Sequence, residues 1–211
     1  MPAIAPAQSL SWSGEASAGN ELSERGIALW RDQPVVQALV VVSDDALWSA
    51  SFAAARPLGD GRGSQLVLRG AGYWMASAEI QLQARLAAYA YPEAGFSYDH
   101  LEATLALAWR DIASIEASVV RMNEGDSHGY PALDLGLRWP LSEHWALAGG
   151  IGRAELPAWP GYYYTYSDAG LSWRAGEWRA TLKHLSARGD IRRYLGEAAA
   201  PRTALTLTRQ F

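Results

Sequence analysis

The sequence predicts an all-β fold, a transmembrane antiparallel up-and-down β-barrel of about twelve strands. Three observations lead to this prediction. Apolar and polar residues alternate along most of the chain, the alternating segments are joined by short and long connections in turn, and tryptophans cluster beside the short ones. No uninterrupted apolar run approaches the roughly 18–20 residues that a transmembrane helix needs, so a membrane-spanning protein of this sequence has to use strands.

Alternation identifies the strands, because successive side chains of a strand point to opposite faces of the sheet. In one representative stretch, Leu101, Leu105 and Trp109 share the apolar parity, whereas Glu102 and Arg110 lie on the other. Each such segment is close to the roughly 9–11 residues that a tilted strand needs to cross a bilayer. The predicted strands are residues 9–19, 34–43, 47–56, 65–75, 79–91, 98–110, 112–122, 130–140, 144–155, 163–174, 177–186 and 200–211.

The connections between these strands are regularly asymmetric. Every second connection is a turn of one to three residues, and the others are longer loops such as Asn20–Gln33 and Ala187–Ala199. Tight periplasmic turns, longer extracellular loops and an even strand count are typical of bacterial outer-membrane barrels. We therefore expect a protein of the cell outer membrane, in which residues 9–211 form the barrel and residues 1–8 a periplasmic tail.

Composition narrows the other possibilities. The chain has no cysteine and a net charge of −4, so we expect no cysteine-bound metal, no cofactor and no attraction to nucleic acid. Residues Met1–Leu10 have neither a basic segment nor an apolar core, so no signal peptide is recognised. Because an exported barrel needs one, we expect the sequence to represent a mature or truncated form.

The tryptophans predict one membrane interface. Eight of them lie on the apolar parity, near predicted short turns or near the start of the first strand. Amphipathic rings collect at the headgroup level and form the aromatic girdles of such barrels. The predicted periplasmic girdle consists of Trp12, Trp48, Trp74, Trp109, Trp139, Trp145, Trp173 and Trp178.

The chain ends on an alternating strand with an aromatic residue. Leu205, Leu207 and Phe211 share the apolar parity of this last segment. A terminal Phe on such a strand resembles the insertion signal that the outer-membrane assembly machinery reads. We therefore expect that machinery to be a partner, together with outer-membrane lipid and lipopolysaccharide. The outward parity also carries Arg121 and Arg153 at loop-side ends, where lipopolysaccharide phosphates would pair with them.

One segment resembles a known family. The run from Arg25-Gly26 to Gln37, with Pro34 and Gln37 in a Pro-x-x-Gln pattern, is similar to the first loop and second strand of the TorF-like porins. Looser similarity extends along the chain, including Tyr89-Ala90-Tyr91-Pro92 and the terminal Phe. The resemblance implies a channel-type outer-membrane protein and carries no known catalytic residues.

The polar parity predicts the lining of the lumen. Twelve strands give a backbone radius on the order of 12 Å, and side chains then leave at most a narrow pore. The pore-lining candidates are Arg69, Arg85, Glu102, Glu116, Asp134, Arg138, Asp168, Arg174, Arg179 and Lys183. The candidate ion pairs that would seal the lumen are Arg85 with Glu102, Asp134 with Arg138, and Asp168 with Arg179. The cations of the tenth and eleventh strands (Arg174, Arg179, Lys183) would favour anions where they face water.

Two loop features have alternative interpretations. The cationic loop Ala187–Ala199 can fold inward as a constriction or outward toward lipopolysaccharide or a partner. The tyrosines at 162, 163, 164 and 166 can stack on sugars, and we favour an external aromatic girdle.

The predicted function is a porin-like channel for the passive diffusion of small hydrophilic solutes. One alternative is a structural or adhesive barrel filled by side chains that transports nothing. A less favoured alternative is a lipid-modifying enzyme, and His128 would be its catalytic candidate. We expect no enzyme, because His144 lies by a short turn, His184 has outward parity, and no catalytic sequence motif is present.

Overall fold

Twelve long strands form one closed antiparallel barrel. The computed structural model describes residues 10–30, 33–44, 47–59, 62–93, 98–124, 128–157 and 159–211. The barrel strands are β1 (Leu10–Gly19), β4 (Val35–Asp44), β5 (Trp48–Pro57), β6 (Gln65–Met75), β7 (Ile80–Ala90), β8 (His100–Trp109), β9 (Ala113–Met122), β10 (Tyr130–Pro140), β11 (Trp145–Glu155), β12 (Tyr163–Ala175), β13 (Trp178–Arg188) and β14 (Arg202–Gln210). The connections add a hairpin of β2 (Ser23–Glu24) and β3 (Ile27–Ala28), the helix α1 (Ile191–Leu195) and a 3-10 helix at Gly196–Ala199.

Each barrel strand pairs with its neighbours in sequence, and β1 closes the sheet against both β4 and β14. At the closing seam, residues 15–19 of β1 pair with residues 206–210 of β14. The backbones of Gly14 and Phe211 exchange two further hydrogen bonds of 2.8 and 3.0 Å. Because no barrel edge is left open, every strand can satisfy its ladder hydrogen bonds in an apolar surrounding.

The fold class predicted from alternation is confirmed. All twelve predicted strands are present, and their bounds differ from the predicted ones by no more than two residues. The short turns gather at one end of the barrel, here the short-turn end, and the longer connections at the other, here the long-loop end. The predicted tail of residues 1–8 lies outside the described residues.

The outer face is apolar over its whole circumference. Exposed leucines alternate with inward residues on almost every strand, for example Leu86, Leu105 and Leu135, which are 69%, 68% and 49% exposed. Seven of the eight girdle tryptophans are exposed, Trp173 is half-buried, and all eight lie at strand ends toward the short-turn end. In a water-soluble protein such a surface would be an aggregation hazard, whereas it matches a lipid surrounding. Within the described ranges, no helix is long and apolar enough to cross a bilayer.

Candidate functional site: the lumen and its inward hairpin

The inner face of the barrel carries all ten predicted pore-lining side chains. The pairing register aligns them in continuous rows, for example Ala87 opposite Glu102 and Glu116 opposite Asp134. Arg138 and Arg174 are exposed at the short-turn end, whereas Glu102 lies deeper, toward the long-loop end, and is only 7% exposed. The ten side chains thus lie on the inner face, and their role in conduction stays a prediction.

The first long connection folds into the lumen, which the sequence did not predict. Its two short strands pair through Ser23 with Ala28 and Glu24 with Ile27. The turn between them has Arg25 at φ 47° and Gly26 at φ 78°. Two successive positive φ values are what a tight two-residue hairpin turn requires, and Gly adopts them without strain.

Arg25, at the tip of this hairpin, is bound to the opposite wall. Its guanidinium donates to Glu102 at 2.6 Å and to the Ser118 hydroxyl at 2.8 Å. Burial works to lower the pKa of Arg25, but the Glu102 carboxylate and neighbouring acidic groups outweigh it and raise that pKa above its ordinary value. The cation therefore persists across the whole physiological pH range, and the ion pair fixes the hairpin tip against strands β8 and β9.

Arg202, at the start of the last strand, holds the base of the hairpin. Its guanidinium donates to Glu21 at 2.7 Å and to the backbone oxygen of Gly26 at 2.9 Å. It also donates to the backbone oxygens of Ala198 and Ala200, in the last long connection. One planar cation with several donors thus joins the first and last loops to the barrel.

The last long connection covers the hairpin. Ile191 of α1 and Ala199 are fully buried, and they belong to an apolar cluster that also contains Leu156 and Tyr164. Ile27 of the hairpin packs against this cluster. The loop Ala187–Ala199, for which inward and outward positions were both open, therefore lies over the long-loop mouth and stabilises the inward hairpin.

The prediction of an external girdle for Tyr162, Tyr163, Tyr164 and Tyr166 is wrong for two of these residues. Strand alternation points Tyr164 and Tyr166 inward, where they are 4% and 9% exposed. Tyr166 donates to Asp134 along the inner wall, over the intervening strand β11. This bond has room because the strand between them carries Gly152 at the crossing point, where a Cβ would overlap both side chains.

Ion pairs line the inner face, but the partners differ from the three predicted pairs. Arg85 pairs with Glu116 at 2.8 Å rather than with Glu102. In place of the expected Asp168–Arg179 pair, Asp168 pairs with Lys183 at 2.9 Å, and Arg179 donates to Glu15 at 3.1 Å. Asp134 accepts from Tyr166, not from Arg138. Asp168 and Lys183 lie on adjacent strands, whereas the partners of the other three contacts are separated by one intervening strand.

Space remains in the lumen on both sides of the hairpin. A cavity of about 440 Å³ lies at the short-turn end, bordered by small residues such as Ala148 and Gly150. Two cavities, of about 410 and 240 Å³, border the hairpin, and a third of about 340 Å³ lies between the hairpin and the wall near Tyr98. A further concave region of about 1120 Å³ is bordered by outward side chains such as Leu86 and Leu133, so it is not a solute pocket of the lumen.

The histidines lie in different environments. His128 is 3.3 Å from Glu155 at the long-loop end, and the exposed His184 ring lies 3.4 Å from Thr203. A serine nucleophile requires a histidine base within hydrogen-bond reach of its hydroxyl. The segment 125–127, which carries Asp126 and Ser127 beside His128, lies outside the described residues.

One sequence signal, Arg25-Gly26, could have indicated the inward hairpin. Arg25-Gly26 is flanked by Leu22 and Leu29, whose backbones are joined by a 2.9 Å hydrogen bond. Glycine after a polar residue is a frequent turn signal, but strands of two residues are too short to show a period. The partner of Arg25 is 77 residues away, so no local pattern identifies it.

Comparison with known proteins places this geometry among outer-membrane barrels. No family model matches the chain. No curated protein sequence matches it either. Solved structures do: the KdgM porin (TM-score 0.64, 8% identity) and the NanC porin (TM-score 0.61, 8% identity) each cover 94% of this chain and 98% of their own. An outer membrane channel from Pseudomonas putida F1 (TM-score 0.55, 12% identity) covers 99% of this chain and 100% of its own. The chain has the twelve-stranded barrel fold found in outer-membrane porins and channels.

Proposed function

We propose that this protein is an outer-membrane channel through which small hydrophilic solutes diffuse passively, with the inward hairpin as its constriction. One observation carries the proposal: an apolar outer face surrounds a lumen lined by charged and polar side chains, with cavities of about 340 and 410 Å³ beside the hairpin. Side-chain rings and constrictions of this kind select solutes by size and charge. The narrow lumen excludes folded proteins.

The proposed surroundings follow from the outer face. Outer-membrane lipid would cover the exposed leucines, and lipopolysaccharide phosphates would meet Arg153, whose guanidinium lies 4.9 Å from the Tyr163 ring centre on the outward side. We propose that Leu205, Leu207 and Phe211 present the insertion signal to the assembly machinery, since all three are outward and exposed. The narrower resemblance to the TorF-like porins belongs to the same proposal.

A planar bilayer experiment tests the channel directly. The refolded barrel is inserted into a bilayer in potassium chloride, and current is recorded at fixed voltage. We expect uniform single-channel steps, because each barrel has the same lumen. Absence of steps from correctly folded barrels would contradict the proposal.

A second candidate is a closed structural or adhesive barrel. The observation that favours it is the anchoring of Arg25 and Arg202, together with the ion pairs on the inner face. This candidate predicts no conductance in the wild type and conductance only after the hairpin is removed. The same recordings therefore distinguish it from an open channel.

We also infer that the barrel is not an enzyme, because the solved structures that it resembles include the KdgM and NanC porins. The remaining catalytic candidate is His128 with Glu155 at the long-loop end. Incubation with outer-membrane lipids checks this inference. Lipid turnover that disappears in a His128→Gln variant would contradict it.

A further inference from the structure

A buried cluster of metal-ligating side chains lies where the hairpin meets the barrel wall. Glu24 comes from β2 of the hairpin, and His100 and Glu102 come from the start of β8. Each offers one ligand atom, and the three atoms lie within 4.8 Å of one another. His100 is 2% exposed and Glu102 is 7% exposed, so the group is not a surface cluster of acidic residues.

Each of the three side chains is oriented by a hydrogen bond with a further group. Nδ1 of His100 donates to the backbone oxygen of Tyr98 at 2.8 Å, so Nε2 is the ring nitrogen left to bind a ligand. The Tyr91 hydroxyl donates to Oε2 of Glu24 at 3.3 Å, and Arg25 donates to Oε1 of Glu102. Metal-binding histidines and carboxylates are held by outer partners of this kind.

The aromatic surroundings fix the imidazole further. The His100 ring stacks on Tyr89 with centroids 4.3 Å apart and an interplanar angle of 15°. Tyr91 and Tyr98 lie beside it at 6.1 and 5.4 Å. Because the ring cannot turn without leaving this stack, its Nε2 keeps one direction, which is the preorganisation that a ligand atom needs.

The cluster contains two carboxylates, and the ion pair of Arg25 reaches only one of them, Glu102. A bound cation would compensate the second carboxylate, Glu24, and an uncompensated charge away from water is costly.

We propose that Glu24, His100 and Glu102 form a binding site for a divalent transition-metal ion of the zinc class, which bridges the hairpin to the barrel wall. An imidazole nitrogen with two carboxylate oxygens is a donor set that zinc accepts, whereas calcium and magnesium prefer oxygen ligands alone. Three protein ligands leave one position of a tetrahedral ion for water or a solute group.

The geometry and the access route both suit such an ion. Ligands about 2.1 Å from a tetrahedral zinc ion lie about 3.4 Å apart, so side-chain movements of about 1 Å would close the site. Glu24 and His100 border the cavity of about 340 Å³, and Glu24 and Glu102 border the one of about 410 Å³. An ion can thus reach the cluster from either side of the hairpin.

Isothermal titration calorimetry of the refolded barrel with zinc chloride, in a buffer that does not bind zinc, tests the site. We expect one saturable zinc ion per barrel and weaker or no binding of calcium and magnesium at the same concentrations. Glu24→Gln and His100→Gln should each weaken zinc binding by at least about tenfold. Glu24 lies on the hairpin and not in a barrel strand, so its variant keeps the test valid if His100→Gln fails to fold.

Two matched controls separate this site from other histidines. His184→Gln removes an exposed ring on the outer face and should leave zinc affinity unchanged. His128→Gln removes the histidine that pairs with Glu155 and should also leave it unchanged. The proposal is overturned if the wild type binds no zinc, if Glu24→Gln binds as tightly as the wild type, or if His128→Gln abolishes binding.

A conductance measurement tests how zinc binding affects the channel, and this part rests on the proposed function. Zinc that bridges Glu24 to β8 should hold the hairpin in the lumen and lower single-channel current, and Glu24→Gln should not respond. Calorimetry does not depend on conduction. Binding without any wild-type current would therefore refute the channel alone, and current without zinc binding would refute the metal site alone.

Discussion

The two ends of the lumen are built from different kinds of residue. At the long-loop end, the hairpin, its Arg25–Glu102 ion pair and inward tyrosines such as Tyr164 divide the lumen into several cavities. At the short-turn end the inner face carries small residues such as Ala148 and Gly150 together with charged ones such as Arg138, around one cavity of about 440 Å³. Strand number sets the diameter of the backbone cylinder, whereas in the proposed channel the first long connection would set the width of the pore.

Removing the hairpin should have the largest effect on this contrast. We expect a Gly/Ser linker of equal length in place of residues 22–29 to raise single-channel conductance several-fold, because it removes the main obstruction of the long-loop end. A Gly/Ser replacement of the exposed short turn 141–143 is the matched control and should leave conductance unchanged. Equal conductance of the hairpin-free and wild-type barrels would place the constriction elsewhere.

Breaking the ion pair at the hairpin tip should have the next largest effect. Arg25→Ala leaves Glu102 buried without its cation, so we expect the docked hairpin to lose about 3 kcal/mol of stability. Faster proteolytic cleavage at residues 22–29 and a noisier open-channel current would measure this loss. Arg25→Lys keeps the charge but loses the planar donor geometry, so its hairpin should be less stable than in the wild type and more stable than in Arg25→Ala. Unchanged protease protection in Arg25→Ala would show that Arg202 alone holds the hairpin.

A bulky residue at the short-turn end should have a moderate effect. Ala148→Phe adds a ring beside the larger cavity, where space remains, so we expect single-channel conductance to fall by less than half. The barrel itself should stay folded, because the ring extends into a cavity rather than into packed side chains. If this variant stopped the current completely, the short-turn end would be the constriction and the comparison of the two ends would reverse.

Charge changes at the short-turn mouth should have the smallest effect. Arg138 and Arg174 are exposed and take no part in the ion pairs found among the described residues. Replacing both with Gln should shift the reversal potential in a salt gradient toward cations, by on the order of a few millivolts, since salt screens exposed charges. Arg153→Gln, on the outer face, is the control and should cause no shift.

The strands were predictable because each is long enough for its period of two to appear in the sequence. The alternation around Leu105 or Leu135 recurs over about ten residues, and lipid on one side with polar lumen on the other enforces it. The same alternation identified Arg85, Glu116 and Lys183 as inner-face residues. Local pattern was sufficient for these features because the membrane imposes the same constraint on every strand.

The occupants and partners of the lumen were not predictable in the same way. Arg25 binds Glu102 across 77 residues, and Arg179 binds Glu15 across 164. Such pairs depend on barrel closure and on strand stagger, which no window of the sequence contains. The hairpin was missed for a related reason, because its strands of two residues are stabilised by contacts with the wall and not by their own propensity.

Arg202 has a consequence for the order in which the molecule is assembled. It lies on the last strand, yet it donates to Glu21 and to the backbone of Gly26 in the first loop. The first loop is synthesised early, but its final anchor arrives only when β14 has paired with β1 and the seam has closed. The hairpin can therefore reach its fully anchored position only after the barrel has closed. In an incompletely folded barrel, the lumen lacks the Arg202 contacts that hold the proposed constriction in place.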